Sequence, residues 1–325
     1  MSLAVSLPVP GVPLAATADL VRRCADLGYT AVWASEVAGP DFASLLGSVA
    51  HTGVDLGVAV VPVQTRAPWL IAATAASLAH LSQGRFSLGL GTSSEVIAEQ
   101  WSGIPFERPL TRLRETVAVV RAMLAGERVD HEGTFTTHGY RLPLPPPAPI
   151  PLLVGALNPA SLRQAGAIGD GVCLNQLGER HVPLVLDEVR AGAAEAGRPA
   201  PTDRVVARLF CQVTDDVGAA RTGLRRTFAP YVATSVYNRF YRWLGFEEEA
   251  QAVLDALAAG DRAAAGAALS DALLDTVTVV GDANVVAARV RAYLDAGVTV
   301  AAIQPLDADA EGAERTLRAA AAALT

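Results

Sequence analysis

Short apolar runs alternate with segments of helical spacing along most of the chain. The first apolar run covers residues 3–7, and a helical pattern follows over residues 17–27, where Gly28 ends it. Seven further runs are predicted as strands two to eight, over residues 30–34, 55–63, 86–90, the run from Leu152, residues 172–174, 204–213 and 298–304. Strands that alternate with helices at this pitch are typical of a parallel sheet.

Two segments interrupt this alternation. Residues 128–151 hold a small β-like stretch and the sequence PLPPPAPIP, and they are predicted to cross the surface before the fifth strand. Residues 214–275 are predicted as a long, mostly helical insertion after the seventh strand. The pattern predicts an α/β fold, a (β/α)8 TIM barrel with insertions after strands four and seven, in a single domain of residues 1–325. An open doubly wound sheet is disfavoured, because no glycine-rich dinucleotide turn follows the first strand.

The composition indicates one large core. The chain has 325 residues, of which 51% are hydrophobic, so it can bury a core without disulfides. Its three cysteines are far apart, no apolar run is long enough to cross a membrane, and no secretory signal is evident at the N-terminus, so we expect a cytoplasmic protein. A net charge of -7 gives no general attraction to nucleic acid. We therefore expect no nucleic-acid or membrane partner.

The predicted strand ends carry few charged residues. Active sites of such barrels lie at the carboxyl ends of the strands, where this chain offers Glu36, Thr92, Ser93 and Asn175. The five histidines all fall in helices or excursions, so no metal site is expected. There is also no nucleophile with an obvious base. A site with hydroxyls, amides and apolar walls is typical of an enzyme whose bound cofactor carries the reaction.

Residues 152–175 are predicted as one strand, turn, helix and strand. Asn158 is suited to cap the helix, and Pro159 suits its first position. Unpaired amides and the positive end of the helix dipole then meet at this turn, so a phosphate could bind against Ala156, Leu157 and Asn158. The alternative is an ordinary βαβ unit with a capped helix.

Residues 228–246 are rich in aromatic side chains, although only 6% of the whole chain is aromatic. An aromatic helix beside a barrel mouth could cover a ring system and exclude water, which makes Tyr237, Phe240, Tyr241 and Trp243 candidates for a substrate lid. The alternative is a hydrophobic helix that packs on the barrel or in an interface. Together with the apolar residues 68–81, this segment predicts a homodimer.

Five segments resemble the bacterial luciferase-like superfamily of barrel oxidoreductases, and within it the branch that uses the 5-deazaflavin coenzyme F420. In chain order they are AVWASEVAGPD, GVAVVPVQTRAP, GRFSLGLGTSSE, RLRETVAVVRAMLAGERVDHEG and PIPLLVGALNPASLRQAGAIGDGV. Together they cover most of residues 30–175. The rest of the chain matches only in layout.

The resemblance implies a binding mode for the cofactor. It implies a cis peptide bond near Ala59 and Val60 that bulges against the deazaflavin ring. Backbone groups of the turn after the fifth strand would hold the phosphate, and the loop after the fourth strand would line the polar tail. The implied cofactor-binding residues are Ala59, Val60, Gly91, Thr92, Ser93, Gly155, Ala156, Leu157 and Asn158.

The resemblance also implies an activity, namely hydride transfer between F420 and an unidentified small organic substrate. Glu36 falls where many relatives carry an Asp-His pair, so it is either the proton donor or a structural carboxylate. One alternative function is an FMN-dependent monooxygenase that uses oxygen. A second alternative is a protein that binds the deazaflavin without catalysis.

Overall fold

Eight parallel strands close into a barrel in the computed structural model, which describes residues 1–324. The strands within these residues are β1 (Ser2–Leu7), β2 (Ala31–Ala34), β3 (Asp55–Pro62), β4 (Phe86–Gly91), β5 (Arg128–Glu132), β6 (Thr136–Arg141), β7 (Leu152–Gly155), β8 (Gly171–Asn175), β9 (Val205–Val213), β10 (Thr278–Gly281) and β11 (Val300–Pro305). The barrel follows the order β1, β2, β3, β4, β7, β8, β9, β11, and pairing of β11 with β1 closes the ring. The predicted (β/α)8 barrel is confirmed.

Helices surround the barrel and follow most of its strands. They are α1 (Thr17–Asp26), α2 (Phe42–Val49), α3 (Pro68–Leu81), α4 (Pro109–Leu124), α5 (Pro159–Ile168), α6 (Val182–Glu195), α7 (Val217–Ala233), α8 (Ser235–Trp243), α9 (Glu247–Ala258), α10 (Arg262–Ala267), α11 (Asp271–Val277), α12 (Ala283–Asp295) and α13 (Ala310–Ala321). A π-helical turn over Val96–Trp101 follows β4. Among residues 1–324, no helix is both long and apolar enough to cross a membrane.

Local sequence signals set where several helices begin and end. The side chain of Asp41 accepts a hydrogen bond from the backbone of Ser44 at 2.8 Å and so caps α2. Proline opens α3 and α5 at a position where its missing N–H costs no helical hydrogen bond. Gly28, with φ +96°, follows the end of α1 in a conformation that favours glycine.

The two irregular segments and one short strand complete the fold. Strands β5 and β6 form an antiparallel hairpin within the proline-rich excursion. The segment between β9 and β10 contains the five helices α7 to α11. The sequence pattern did not predict β10, which pairs with the carboxyl-terminal part of β9. This strand is only four residues long and follows α11 directly, so no turn signal separates the two elements.

A small apolar cluster fills the inside of the barrel. It consists of Ala4, Ala31, Trp33, Leu153, Cys173, Val206 and Ala302. Trp33 needs a glycine on the next strand, since a Cβ at Gly57 would lie 2.4 Å from the indole ring. The indole and its small neighbours fill the barrel and form the floor of the open space above them.

Candidate active site

A cavity of about 280 Å³ opens at the carboxyl ends of the barrel strands. Strand residues on its wall include Ser6 of β1, Gly91 of β4, Asn175 of β8 and Phe210 of β9. This is the end of a (β/α)8 barrel at which active sites are found, because the loops after the strands can vary without disturbing the sheet.

Val60 forms one wall of this cavity. The peptide bond between Ala59 and Val60 is cis, which confirms that prediction, and the pairing of β3 with β4 is irregular at this point. A Cβ at Gly91 would lie 2.5 Å from one methyl group of Val60, and a Cβ at Gly155 would lie 2.7 Å from the other. The Val60 side chain therefore occupies the space that side chains on β4 and β7 would otherwise need.

The loop after β4 brings hydroxyl groups to the cavity. Thr92, Ser93 and Ser94 all line it, and Ser93 adopts a left-handed φ of +62°. The Ser93 hydroxyl is buried and has no hydrogen-bond partner among residues 1–324. Buried hydroxyl groups are usually paired, so this group is available to a ligand.

The turn between β7 and α5 is held by Ser161. Its hydroxyl oxygen accepts hydrogen bonds from the backbone N–H groups of Leu157 at 3.2 Å and Asn158 at 3.1 Å. Gly155, Ala156, Leu157 and Ser161 line the cavity, whereas Asn158 does not; its side chain donates to the carbonyl of Val236 at 3.4 Å. An anion at this turn would share or displace the Ser161 hydroxyl.

Glu36 lines the cavity but is engaged by a neighbouring guanidinium. Its two carboxylate oxygens accept hydrogen bonds from Arg66 Nε at 2.8 and 2.9 Å. Arg66 also pairs with Asp41 at 2.5 Å and lies 4.9 Å from the centre of the Phe42 ring. Burial alone would lower the pKa of Arg66, but its two acidic partners raise it. These contacts tie the loops after β2 and β3 together, which favours the structural interpretation of Glu36.

The aromatic helix covers the cavity with fewer residues than the sequence suggested. Tyr237 lines the cavity, and its hydroxyl accepts a hydrogen bond from Asn175 at 2.9 Å. Phe240 and Tyr241 are buried in the core instead, and Trp243 packs against Phe240 at 6.2 Å. None of these three side chains lines the cavity, so the predicted lid needs correction.

The cover is formed instead around the junction of α7 and α8. Its residues at the cavity are Tyr231, Thr234, Val236 and Tyr237. Three of the predicted lid residues lie outside the cavity because the helical period directs some aromatic side chains of α8 towards neighbouring helices and the barrel rim. Tyr241 is an example, since its hydroxyl donates to Gln176 at 2.5 Å. Sequence alone does not indicate which surface each side of α8 meets.

Arg208 is a cavity residue that was not among the candidates predicted from the sequence. Alternate residues of β9 point into the barrel, and Val206, Arg208 and Phe210 all line the cavity. Arg208 donates to Gln304 Oε1 at 2.8 Å, and its guanidinium lies 4.7 Å from the Phe210 ring centre. Burial lowers the pKa of Arg208. The available signal was a cation in the middle of an apolar strand, RVVARLFCQV, at an inward position.

Metal and thiol chemistry receive no support from the described side chains. Residues 1–324 contain no group of three or more histidine, cysteine, aspartate or glutamate side chains that could hold a metal ion. Cys173 lines the cavity, but burial raises the pKa of its thiol, so the reactive thiolate is disfavoured.

The closed parallel barrel with a cavity at its strand ends places the protein among the (β/α)8-barrel enzymes. The chain belongs to the luciferase-like monooxygenase family, whose model matches residues 3–300. It is an oxidoreductase of that family.

Two relatives and one solved structure are similar to this chain over most of its length. The chain is 30% identical over 313 residues to a putative coenzyme F420-dependent oxidoreductase of Mycobacterium tuberculosis, with 87% of this chain and 88% of the relative covered. It is 29% identical to a 5,10-methylenetetrahydromethanopterin reductase of Methanolobus tindarius, with 90% of both covered. The F420-dependent tetrahydromethanopterin reductase structure from Methanopyrus kandleri shares the fold, with a TM-score of 0.80, 23% identity and coverage of 98% and 97%.

Proposed function

We propose that this protein is an F420-dependent oxidoreductase that acts on a small organic substrate. The observation that carries the proposal is the wall formed by Val60 between Gly91 and Gly155, where the resemblance puts the deazaflavin ring. The relative from Mycobacterium tuberculosis, which is named as F420-dependent, supports the choice of cofactor. When bound, the deazaflavin supplies the hydride chemistry that the chain's own side chains lack.

The cavity fits a large cofactor with polar groups. Ser93 Oγ and Asn175 Oδ1 are buried at its wall without hydrogen-bond partners among residues 1–324. Val60 would contact the ring, and Thr92 and Ser93 would contact the polar tail. Gly155, Ala156 and Leu157, together with Ser161, would hold the phosphate, whereas Asn158 lies outside the cavity. Unpaired buried polar atoms are costly, so a ligand that satisfies them binds with a gain in stability.

The chain's own contribution is to bind, orient and keep out water. Val236 and Tyr237 cover the cavity. Burial raises the pKa of Tyr237, so its hydroxyl stays protonated at neutral pH. Because that oxygen accepts a hydrogen bond from Asn175, its own proton remains free for a ligand. Glu36, engaged by Arg66, holds the adjacent loops in place.

Binding of the two candidate cofactors tests the proposal. We expect purified protein to quench F420 fluorescence with a micromolar or lower Kd, and to bind FMN at least 100-fold more weakly. Tight FMN binding without F420 binding would contradict the proposal. Binding of neither would contradict the assignment of the cavity to a deazaflavin or a flavin.

A monooxygenase that uses FMN and oxygen is the second candidate, favoured by the family description. Oxygen consumption separates the two functions, since a deazaflavin mainly transfers hydride. We expect no oxygen uptake above background when the reduced F420 complex is mixed with substrate in an oxygen electrode. Stoichiometric oxygen uptake with reduced FMN would instead establish the monooxygenase.

We also propose that the protein forms a homodimer through α3. Two large apolar side chains on this helix, Trp69 and Leu81, are 47% and 59% exposed. The aromatic helix α8 contributes less exposed area than expected, because Phe240 and Tyr241 are buried within the chain. Light scattering after size exclusion should give twice the mass of the chain, and Trp69→Glu should give the monomer mass.

A further inference from the structure

Arg208 carries a positive charge that no acidic side chain balances. Among residues 1–324, Arg208 forms no ion pair; its Nη2 donates to Gln304, and its buried Nε has no partner. The acidic residue on the cavity wall is Glu36, whose two oxygens are engaged by Arg66. Burying an unpaired guanidinium is unfavourable, so an anion that pairs with Arg208 in the cavity would be stabilised.

The guanidinium is held in a fixed position. Gln304 Oε1 accepts hydrogen bonds from both Arg208, at 2.8 Å, and Ser6, at 2.9 Å. Gln304 Nε2 donates in turn to the carbonyl of Pro8 at 3.3 Å. The guanidinium carbon lies over the ring of Phe210, 4.7 Å from its centre. A side chain that neighbours hold on several sides loses little freedom when it binds a ligand.

Arg208 lies across the barrel from the wall formed by Val60. The strands β3 and β9 are third and seventh in the eight-stranded ring, so they face each other through the cavity. We name the two halves of the mouth the β3–β4–β7 side and the β9–β11–β1 side. Val60, Thr92 and Gly155 belong to the first, and Ser6 and Arg208 to the second. A substrate between a cofactor on the first side and the second side would contact Arg208.

We propose that Arg208 binds a carboxylate group of the substrate, so that the substrate class is small organic acids with an apolar body. The planar fork of a guanidinium matches the two oxygens of a carboxylate. Phe210 and Tyr231 line the cavity near Arg208 and supply apolar contacts for the rest of the molecule. This assignment rests on the proposed function for the position of the cofactor, but the anion site itself does not depend on it.

Three carboxylate probes with matched amides test the assignment. Acetate, benzoate and 3-phenylpropionate are titrated by calorimetry into purified protein, alongside acetamide, benzamide and 3-phenylpropionamide. We expect at least one carboxylate to bind at least tenfold more tightly than its amide. Preference for no carboxylate over its amide would overturn the proposal.

Two variants of Arg208 localise the effect. Arg208→Met keeps the size of the side chain without its charge and should weaken carboxylate binding at least tenfold. Arg208→Lys keeps the charge without the fork and should give an intermediate Kd. Arg204→Met removes an exposed arginine next to the same strand and should leave the Kd unchanged. Equal binding by Arg208→Met and the unmodified protein would overturn the proposal.

Cofactor binding separates this proposal from the proposed function. F420 quenching should be the same for Arg208→Met as for the unmodified protein, and circular dichroism should show equal folding. Loss of F420 binding with carboxylate binding retained would assign Arg208 to the cofactor and overturn the substrate site. Carboxylate binding that depends on Arg208 in a protein that binds no F420 would support the anion site while refuting the proposed function.

Discussion

The two sides of the cavity mouth are built in different ways. The β3–β4–β7 side is shaped by backbone, with Val60 fitted against Gly91 and Gly155 and with polar groups supplied by loops. The β9–β11–β1 side is shaped by side chains, in which Gln304 orders Arg208 and Ser6. One side has no room for larger residues, whereas the other has a charge and a hydrogen-bond network that single substitutions can change.

This difference separates two requirements on the same cavity. A surface formed by glycines and a fitted valine tolerates little change, because any added atom meets backbone or a packed methyl group. A surface formed by polar side chains can exchange one hydrogen-bonding group for another without moving the sheet. We therefore expect cofactor binding to depend on the β3–β4–β7 side and substrate choice on the β9–β11–β1 side.

Among the variants proposed here, Gly155→Ala should have the largest effect on cofactor binding. The new Cβ would lie 2.7 Å from Val60, so the valine must shift, at a cost of about 1–3 kcal/mol in the free energy of unfolding. The Kd for F420 should rise more than tenfold in a quenching titration. Gly47→Ala is the matched control, because a Cβ there meets nothing within 4 Å. Unchanged F420 affinity in Gly155→Ala would show that the fit of Val60 does not shape the cofactor surface.

Gln304→Leu should act on the opposite side with a smaller effect. It leaves Arg208 and Ser6 without their shared acceptor, which should cost about 1–3 kcal/mol in chemical denaturation. Benzoate affinity should fall several-fold while F420 affinity stays within twofold.

Gln304→Glu provides the matched comparison for that variant. It keeps an acceptor for Arg208 and Ser6 but adds a negative charge beside the guanidinium and removes the donor to the Pro8 carbonyl, so it should abolish carboxylate binding. A parallel loss of F420 and benzoate binding in both Gln304 variants would mean that the two sides are not independent.

The smallest effect concerns the pH dependence of stability at two carboxyl groups, Asp41 in the loop after β2 and Asp307 after β11. Burial alone would raise the pKa of Asp41, but hydrogen bonds from Ser44 and the charge of Arg66 lower it. This carboxyl group thus adds stability above its unfolded pKa of about 3.9, and that stability is lost as the pH falls through the lower folded value. Burial instead raises the pKa of Asp307 after β11. Its contribution is present below the unfolded pKa and is lost as the pH rises through the folded value.

Melting curves from pH 3 to pH 7 measure this difference. At pH 7, Asp41→Asn should lower the Tm and Asp307→Asn should raise it, each by a few degrees at most. Both differences should shrink towards pH 3, where the carboxyl groups become protonated. A Tm shift of the same sign for both variants at pH 7 would contradict the opposite directions of their pKa shifts.

The barrel was predictable because each of its strands is an apolar run bounded by turn residues. The loops after β4 and β7 could be selected as candidate site segments, since strand ends in such a barrel converge on one face. Arg208 was not found by that rule, because it lies within β9 and not after it. Finding it requires knowing which alternate residues of β9 point into the barrel, and the sequence does not show this because β9 is apolar on both faces. The orientation of α8 was not predictable, since its aromatic residues share one side of the helix and the sequence does not indicate how that side is divided between the cavity and the interior of the chain.

Trp33 gives the cavity an internal optical reporter. It is 6% exposed on the barrel floor and lines the cavity, whereas Trp69 and Trp101 are 47% and 57% exposed on the surface. An indole in such apolar surroundings emits at shorter wavelengths than one in water, so the emission of Trp33 is separable from that of Trp69 and Trp101, and Trp243→Phe removes the half-buried indole that packs on Phe240. Occupancy of the barrel floor can therefore be followed in the unlabelled protein, even for ligands that have no colour of their own.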